Sequence, residues 1–121
     1  MTQEEKELLF KDLCSRLPYE VQCEIGGLLH GPYTFTGNDV EDLIAGRMFK
    51  PYLRPMSSMT EEEQQEYYDL THQEKDDVWA KCLFDKMVDF CNERHLDFRG
   101  LIPMGLALEA TEGMYRKEDK L

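Results

Sequence analysis

Cys91 and His95 stand four residues apart, a spacing that turns both onto one face of a helix and within reach of a single metal ion or of each other. A structural zinc centre needs four thiolate or imidazole ligands, and Cys14, Cys23 and Cys82 have none of the paired spacing that would complete one. Cys82 lies nine residues before Cys91, half a turn away around an ideal helix, so it points elsewhere. A thiol nucleophile with a histidine base needs its pKa lowered. Both residues fall near the C-terminal end of their predicted helix, where the negative end of the helix dipole raises it instead. The pair therefore reads as a packed thiol and a helix-end histidine, with no metal, cofactor or catalytic residue assigned.

Three carboxylates, Asp85, Asp89 and Glu93, line another face and could hold a hard cation through oxygen. Lys81, Lys86 and Arg94 stand close by, and a solvated helix face is the simpler reading. Residues 60–77 carry eight acids and one base, Lys75. Glu62, Glu66 and Asp69 on that stretch form either an exposed, well-capped helix surface for a partner or an imitation of the phosphate spacing of DNA. Just before it, Lys50-Pro51-Tyr52-Leu53-Arg54-Pro55 combines two cations, an aromatic ring and two prolines. Lys50, Tyr52 and Arg54 could receive an acidic peptide or an anion. Glu61, Glu62 and Glu63 already occupy the positive end of the next helix and would repel phosphate, so an internal salt bridge strapping the connector to that helix is the economical reading.

The elements that must position these residues follow from periodicity. Thr2 and Glu5 form a capping box, Leu9, Leu13 and Leu17 recur every four residues, and Pro18 closes a helix predicted over about 3–16. The period then drops to two over Tyr19–Ile25, which reads as a half-buried strand. Residues 33–36 can pair with it as an antiparallel hairpin. Residues 39–44 fit a short helix stopped by Gly46, and 47–53 fits a strand that Pro51 would confine to an edge. Thr60 and Glu63 make a second capping box, opening a helical stretch to about 95 with a break expected at 71–76. Trp79, Leu83, Met87 and Phe90 form a core stripe in its second half. Asp97 suits a cap for a short turn before Pro103, after which GLALEA returns to the core.

The 121 residues suffice for one domain with a single modest core. A net charge of −11 disfavours direct binding of bare nucleic acid, whose affinity comes from Lys and Arg displacing counterions. The charge is uneven: residues 1–60 hold nine acids and six bases, and residues 61–121 hold sixteen and eight. The opening MTQEEKELLFKDL lacks the basic flank and apolar run of an export signal, and the longest apolar-looking run, 101–108, is interrupted by Pro103 and Gly105. A cytoplasmic setting, no membrane association and four reduced cysteines are the expectation.

The segments KPYLRPMSSMTEEE (50–63), HLDFRGLIPMGLALEATEGMY (95–115) and RLPY (16–19) make the chain similar to a family of small uncharacterised proteins encoded by phages, prophages and mobile elements of gut Bacteroidales. The likeness covers about the second half and is weaker at 26–47, where relatives usually carry a longer β-rich insert. The resemblance transfers no catalytic or ligand residues. It implies a cytosolic accessory protein of a mobile element that acts through contacts with host or phage proteins.

Together these observations predict an α+β fold: an N-terminal helix, a small antiparallel sheet of two or three strands, and a helical C-terminal half whose 76–95 helix covers the sheet. One compact domain is expected over 1–111, with 112–121 as a mobile tail. The core should contain Leu9, Leu13, Val21, Ile25, Phe35 and Leu43 from the first half, then Phe49, Trp79, Leu83, Met87, Phe90 and Leu101. The leading function is non-enzymatic protein binding. An acidic mimic occupying a nucleic-acid-binding host protein is the alternative, and a metal-assisted enzyme is a third.

Overall fold

The computed structural model describes residues 1–26, 32–72, 77–111 and 113–115, with the helical backbone alone given for 77–83. The order of elements is α1 (Gln3–Ser15), β1 (Gln22–Ile25), β2 (Tyr33–Thr34), α2 (Asp39–Ile44), β3 (Phe49–Leu53), α3 (Glu61–Thr71), α4 (Asp77–Glu93) and β4 (Leu108–Glu109). The fold is α+β. Both capping boxes form as the sequence predicts: Thr2 Oγ1 accepts from Glu5 N–H, and Thr60 Oγ1 accepts from Glu63 N–H, each glutamate accepting in return from the capping residue's own N–H.

The first strand starts later than its alternation implies. Pro18 opens a 3-10 turn over Leu17–Tyr19, and Glu20 takes a left-handed conformation (φ 55°), so pairing begins at Gln22. Thereafter the period of two holds, with Cys23 buried and Glu24 exposed. β2 pairs antiparallel with β1 in the expected hairpin, Gln22 facing Thr34.

The sheet has four strands in the order β2-β1-β3-β4 and is mixed, because β4 joins β3 in parallel. β3 is therefore an interior strand, which corrects the edge position inferred from Pro51. The ladder explains how proline is accommodated. Gly26 N–H donates to Met48 O, so the alternation of an antiparallel pair turns Lys50 toward β1 and Pro51 away from it. The missing N–H of Pro51 falls on the opposite side, where β4 begins to pair only at Tyr52.

Two apolar clusters hold the described residues together. In the larger, Leu9 and Leu13 of α1 pack on Val21, Phe35, Phe49 and Leu53 of the sheet region, with Leu101, Leu106 and Ala107 closing one end. Ile25 and Leu43 lie half-buried against it. Phe35 and Phe49 meet edge to face at 5.4 Å, an arrangement the ring quadrupoles favour. In the smaller cluster, Phe90, Cys91 and Leu96 pack with Met56, Met59, Tyr67, Leu70 and Phe98. Among the described side chains α1 covers the sheet and the end of α4 packs on α3; the first part of the 76–95 helix, expected to cover the sheet, has its side chains outside the described residues. Met87 is half-buried and receives a hydrogen bond at Sδ from Tyr67. The side chains of Trp79 and Leu83 lie outside the described residues, as does that of Cys82.

A buried ionic network ties the two ends of the chain. Asp12 and Arg16 are 0% exposed, and the carboxylate accepts from Arg16 Nε at 2.9 Å and Nη2 at 3.0 Å. Arg99 adds a third contact to Asp12 at 2.7 Å, and Arg16 also donates to Leu96 O at 2.8 Å. The Asp97 carboxylate receives Leu101 N–H and Ile102 N–H, so it caps the turn before Pro103 as its position predicts. The packed chain continues to Tyr115, inside the stretch expected as a tail. Its hydroxyl receives Gln22 N–H at 2.9 Å and donates to Tyr52 O at 2.7 Å, bridging the end of the β1–β3 ladder. Among the described residues no helix is long and apolar enough to cross a membrane.

Candidate functional site

The connector after β3 decides the geometry of the acidic region. Arg54 leaves the strand beside Leu96 and returns its guanidinium to the start of α3, where it grips Glu63 through two bonds of 2.6 and 2.9 Å. It also donates to Ser58 O and Arg94 O. The strap inferred from the sequence is present, and its fork geometry is the strong form of a carboxylate contact. Hydrogen bonds from Arg54, assisted by Thr60 N–H and opposed by burial, hold the Glu63 carboxyl below the ordinary glutamate value.

Arg94, at the end of α4, performs the matching task from the other side. It donates to Glu66 at 2.9 Å, reaches Glu93 at 3.4 Å and Glu63 at 3.7 Å, and lies 3.9 Å from the centre of the Phe90 ring. α3 and α4 are thereby clamped at one end. Between this clamp and the C-terminal strand runs a groove of about 750 Å³. Five glutamates line it (Glu62, Glu63, Glu66, Glu93 and Glu109) against two arginines, Arg54 and Arg94. Arg54 already pairs with Glu63, and Arg94 with Glu63, Glu66 and Glu93, whereas Glu62 and Glu109 are exposed and form no ion pair among the described residues.

Of the six residues singled out as a partner surface, Arg54, Glu62 and Glu66 meet at this groove. Asp69 lies farther along α3 and accepts from Gln65 Nε2 at 2.9 Å. Lys50 and Tyr52 project from the opposite face of β3 to its buried Phe49, Pro51 and Leu53, and stand apart from the groove lining. Glu93, Glu109 and Arg94 were not anticipated there. Only tertiary contact reveals Glu109, since β4 reaches the groove by pairing with β3.

Cys91 lies within α4 and His95 beyond its end. α4 stops at Glu93, and His95 follows in a left-handed conformation (φ 58°) with its ring stacked 3.7 Å from that of Tyr115. His95 and Tyr115 form one wall of the groove, while Cys91 is fully buried in the smaller cluster. Burial pushes the Cys91 thiol up to about 11, the reverse of what a nucleophile needs. The same cause pushes Cys23 up to about 12 and raises Tyr115 above the usual phenol range. Asp85, Asp89 and Glu93 are exposed, and among the described residues no group of three His, Cys, Asp or Glu side chains is arranged to hold a metal ion. The described cysteines 14, 23 and 91 are free thiols.

No family model matches the chain, and no curated protein or solved structure matches it.

Proposed function

We propose that the chain is a cytoplasmic, non-catalytic accessory protein of a phage or mobile element, and that its acidic groove receives a Lys- or Arg-bearing segment of a host or phage protein. The observation that carries this reading is the mismatch of charge in the groove. Its two cations are neutralised internally, while Glu62 and Glu109 face solvent with no counterion among the described residues. A basic side chain entering between the clamp and β4 meets these two open carboxylates, with the clamped Glu63 and Glu66 beside them. The setting comes from the likeness at 50–63 and 95–115. Absence of catalysis is supported by the burial that raises the Cys91 thiol.

The alternative, imitation of nucleic acid, requires a regular row of open negative charges. Arg94 neutralises Glu66 in the middle of that row, which weighs against it.

Affinity capture from host and phage-infected lysates at low salt, read by mass spectrometry, tests the proposal. Wild-type protein should retain proteins with basic segments, and Glu62→Gln with Glu109→Gln should release them. Equal capture by both forms, or none by either, contradicts it.

A further inference from the structure

A second surface has the opposite chemistry. α1 and the turn from α2 into β3 enclose an open groove of about 460 Å³ with Leu9 as its buried floor. Among the described residues seven large apolar side chains are exposed, and four of them, Met1, Phe10, Ile44 and Met48, line this groove. Scattered exposed apolar residues are ordinary, but convergence on one groove marks an interaction site. Lys6 and Arg47 stand at its rim in no ion pair among the described residues, against the single acid Glu7, which accepts from Gln3. In a chain of net charge −11, this rim is locally positive.

Apart from Leu9 and Leu43 the lining side chains are exposed and the groove is open, whereas small-molecule sites enclose most of their ligand. Phe10 and Ile44 project from two helices, and such ridges accept a third helix between them. The two methionines supply an adaptable apolar lining. We propose that this groove docks an amphipathic helix of a partner protein, its apolar anchors filling the space over Leu9 and its Asp or Glu side chains meeting Lys6 and Arg47. This site is independent of the acidic groove and gives the chain two surfaces that select partners of opposite charge.

The test titrates the full chain with two synthetic helical peptides that share leucines at i, i+3, i+4 and i+7 and differ only in flanking Glu or Lys, followed by calorimetry. The net charge of the whole chain favours the lysine peptide, so preference for the glutamate peptide can arise only locally. The glutamate peptide should bind about fivefold tighter, the effect of two rim ion pairs. Lys6→Glu with Arg47→Glu should reverse that order. Ile44 is 68% exposed, so Ile44→Asp leaves the core intact and should weaken both peptides about tenfold. Absence of binding, equal binding of the two peptides, or an order unchanged by charge reversal overturns the assignment. So does tighter binding of dodecanoate, which would make this a site for a small amphiphile, or self-association abolished by Ile44→Asp, which would make it a contact between copies.

Discussion

Asp12 and Arg16 sit in full burial, and neither would be there without the other. Two charges removed from water lose several kcal/mol of hydration each, and only close pairing with hydrogen bonds offsets that loss. The fork of Arg16 on Asp12 supplies it, with Arg99 adding a bond to the carboxylate and Leu96 O accepting from the guanidinium. Arg16→Met leaves Asp12 with Arg99 alone and should lower unfolding free energy by about 3–5 kcal/mol in urea titration. The buried thiols make a different prediction. An unfolded cysteine ionises near 9.0, but Cys23 and Cys91 keep their protons to about 12 and about 11 because burial disfavours the thiolate. Unfolding above pH 9.0 therefore releases protons. The stability associated with these thiols is intact below that pH and is lost as pH rises from it through the folded values, by up to ~1.4 kcal/mol per unit for each thiol. Urea midpoints measured between pH 8 and 10.5 should fall more steeply for wild type than for Cys23→Ala with Cys91→Ala.

The short strands depend on groups far away in sequence. β1 and β3 share only the register from Cys23–Pro51 to Ile25–Phe49, and beyond it the Tyr115 hydroxyl replaces a direct bond between Gln22 and Tyr52. Tyr115→Phe keeps the ring available for stacking on His95 but leaves that N–H and C=O without their partner. It should cost about 1–3 kcal/mol and accelerate amide exchange at Gln22 in particular. Much of the element structure was legible in sequence because its signals are local. Thr2 with Glu5, Thr60 with Glu63, and the strand read at 47–53 each rest on signals within one turn or one strand; both capping boxes form, and the strand forms over Phe49–Leu53. The Arg54 strap was legible for the same reason, being nine residues from Glu63. What escaped reading is non-local. β4 has two residues, too few for any period to show, and its parallel pairing makes β3 an interior strand despite Pro51. Arg99 reaches Asp12 across 87 residues, and no spacing rule connects them.

At the scale of the whole molecule, charge is sorted rather than spread. The excess of acid gathers in the second half, the clamp of Arg54 and Arg94 consumes part of it, and Glu62 and Glu109 remain unpaired in one groove among the described residues. Phe10, Ile44 and Met48 lie on three separate segments, which is why the apolar groove was invisible in sequence while the acidic run at 60–77 was plain. Interactions at the acidic groove are solvent-exposed and should weaken as salt rises, since the screening length is about 8 Å at physiological ionic strength. The most direct test is backbone-amide NMR of the isotope-labelled chain titrated with a short Lys/Arg peptide at low and physiological salt. The account predicts saturable shifts confined to Ser58–Glu66, Glu93–His95 and Glu109–Tyr115, lost in Glu62→Gln with Glu109→Gln. Shifts spread evenly over the acidic surface, or unchanged in the double variant, would contradict it.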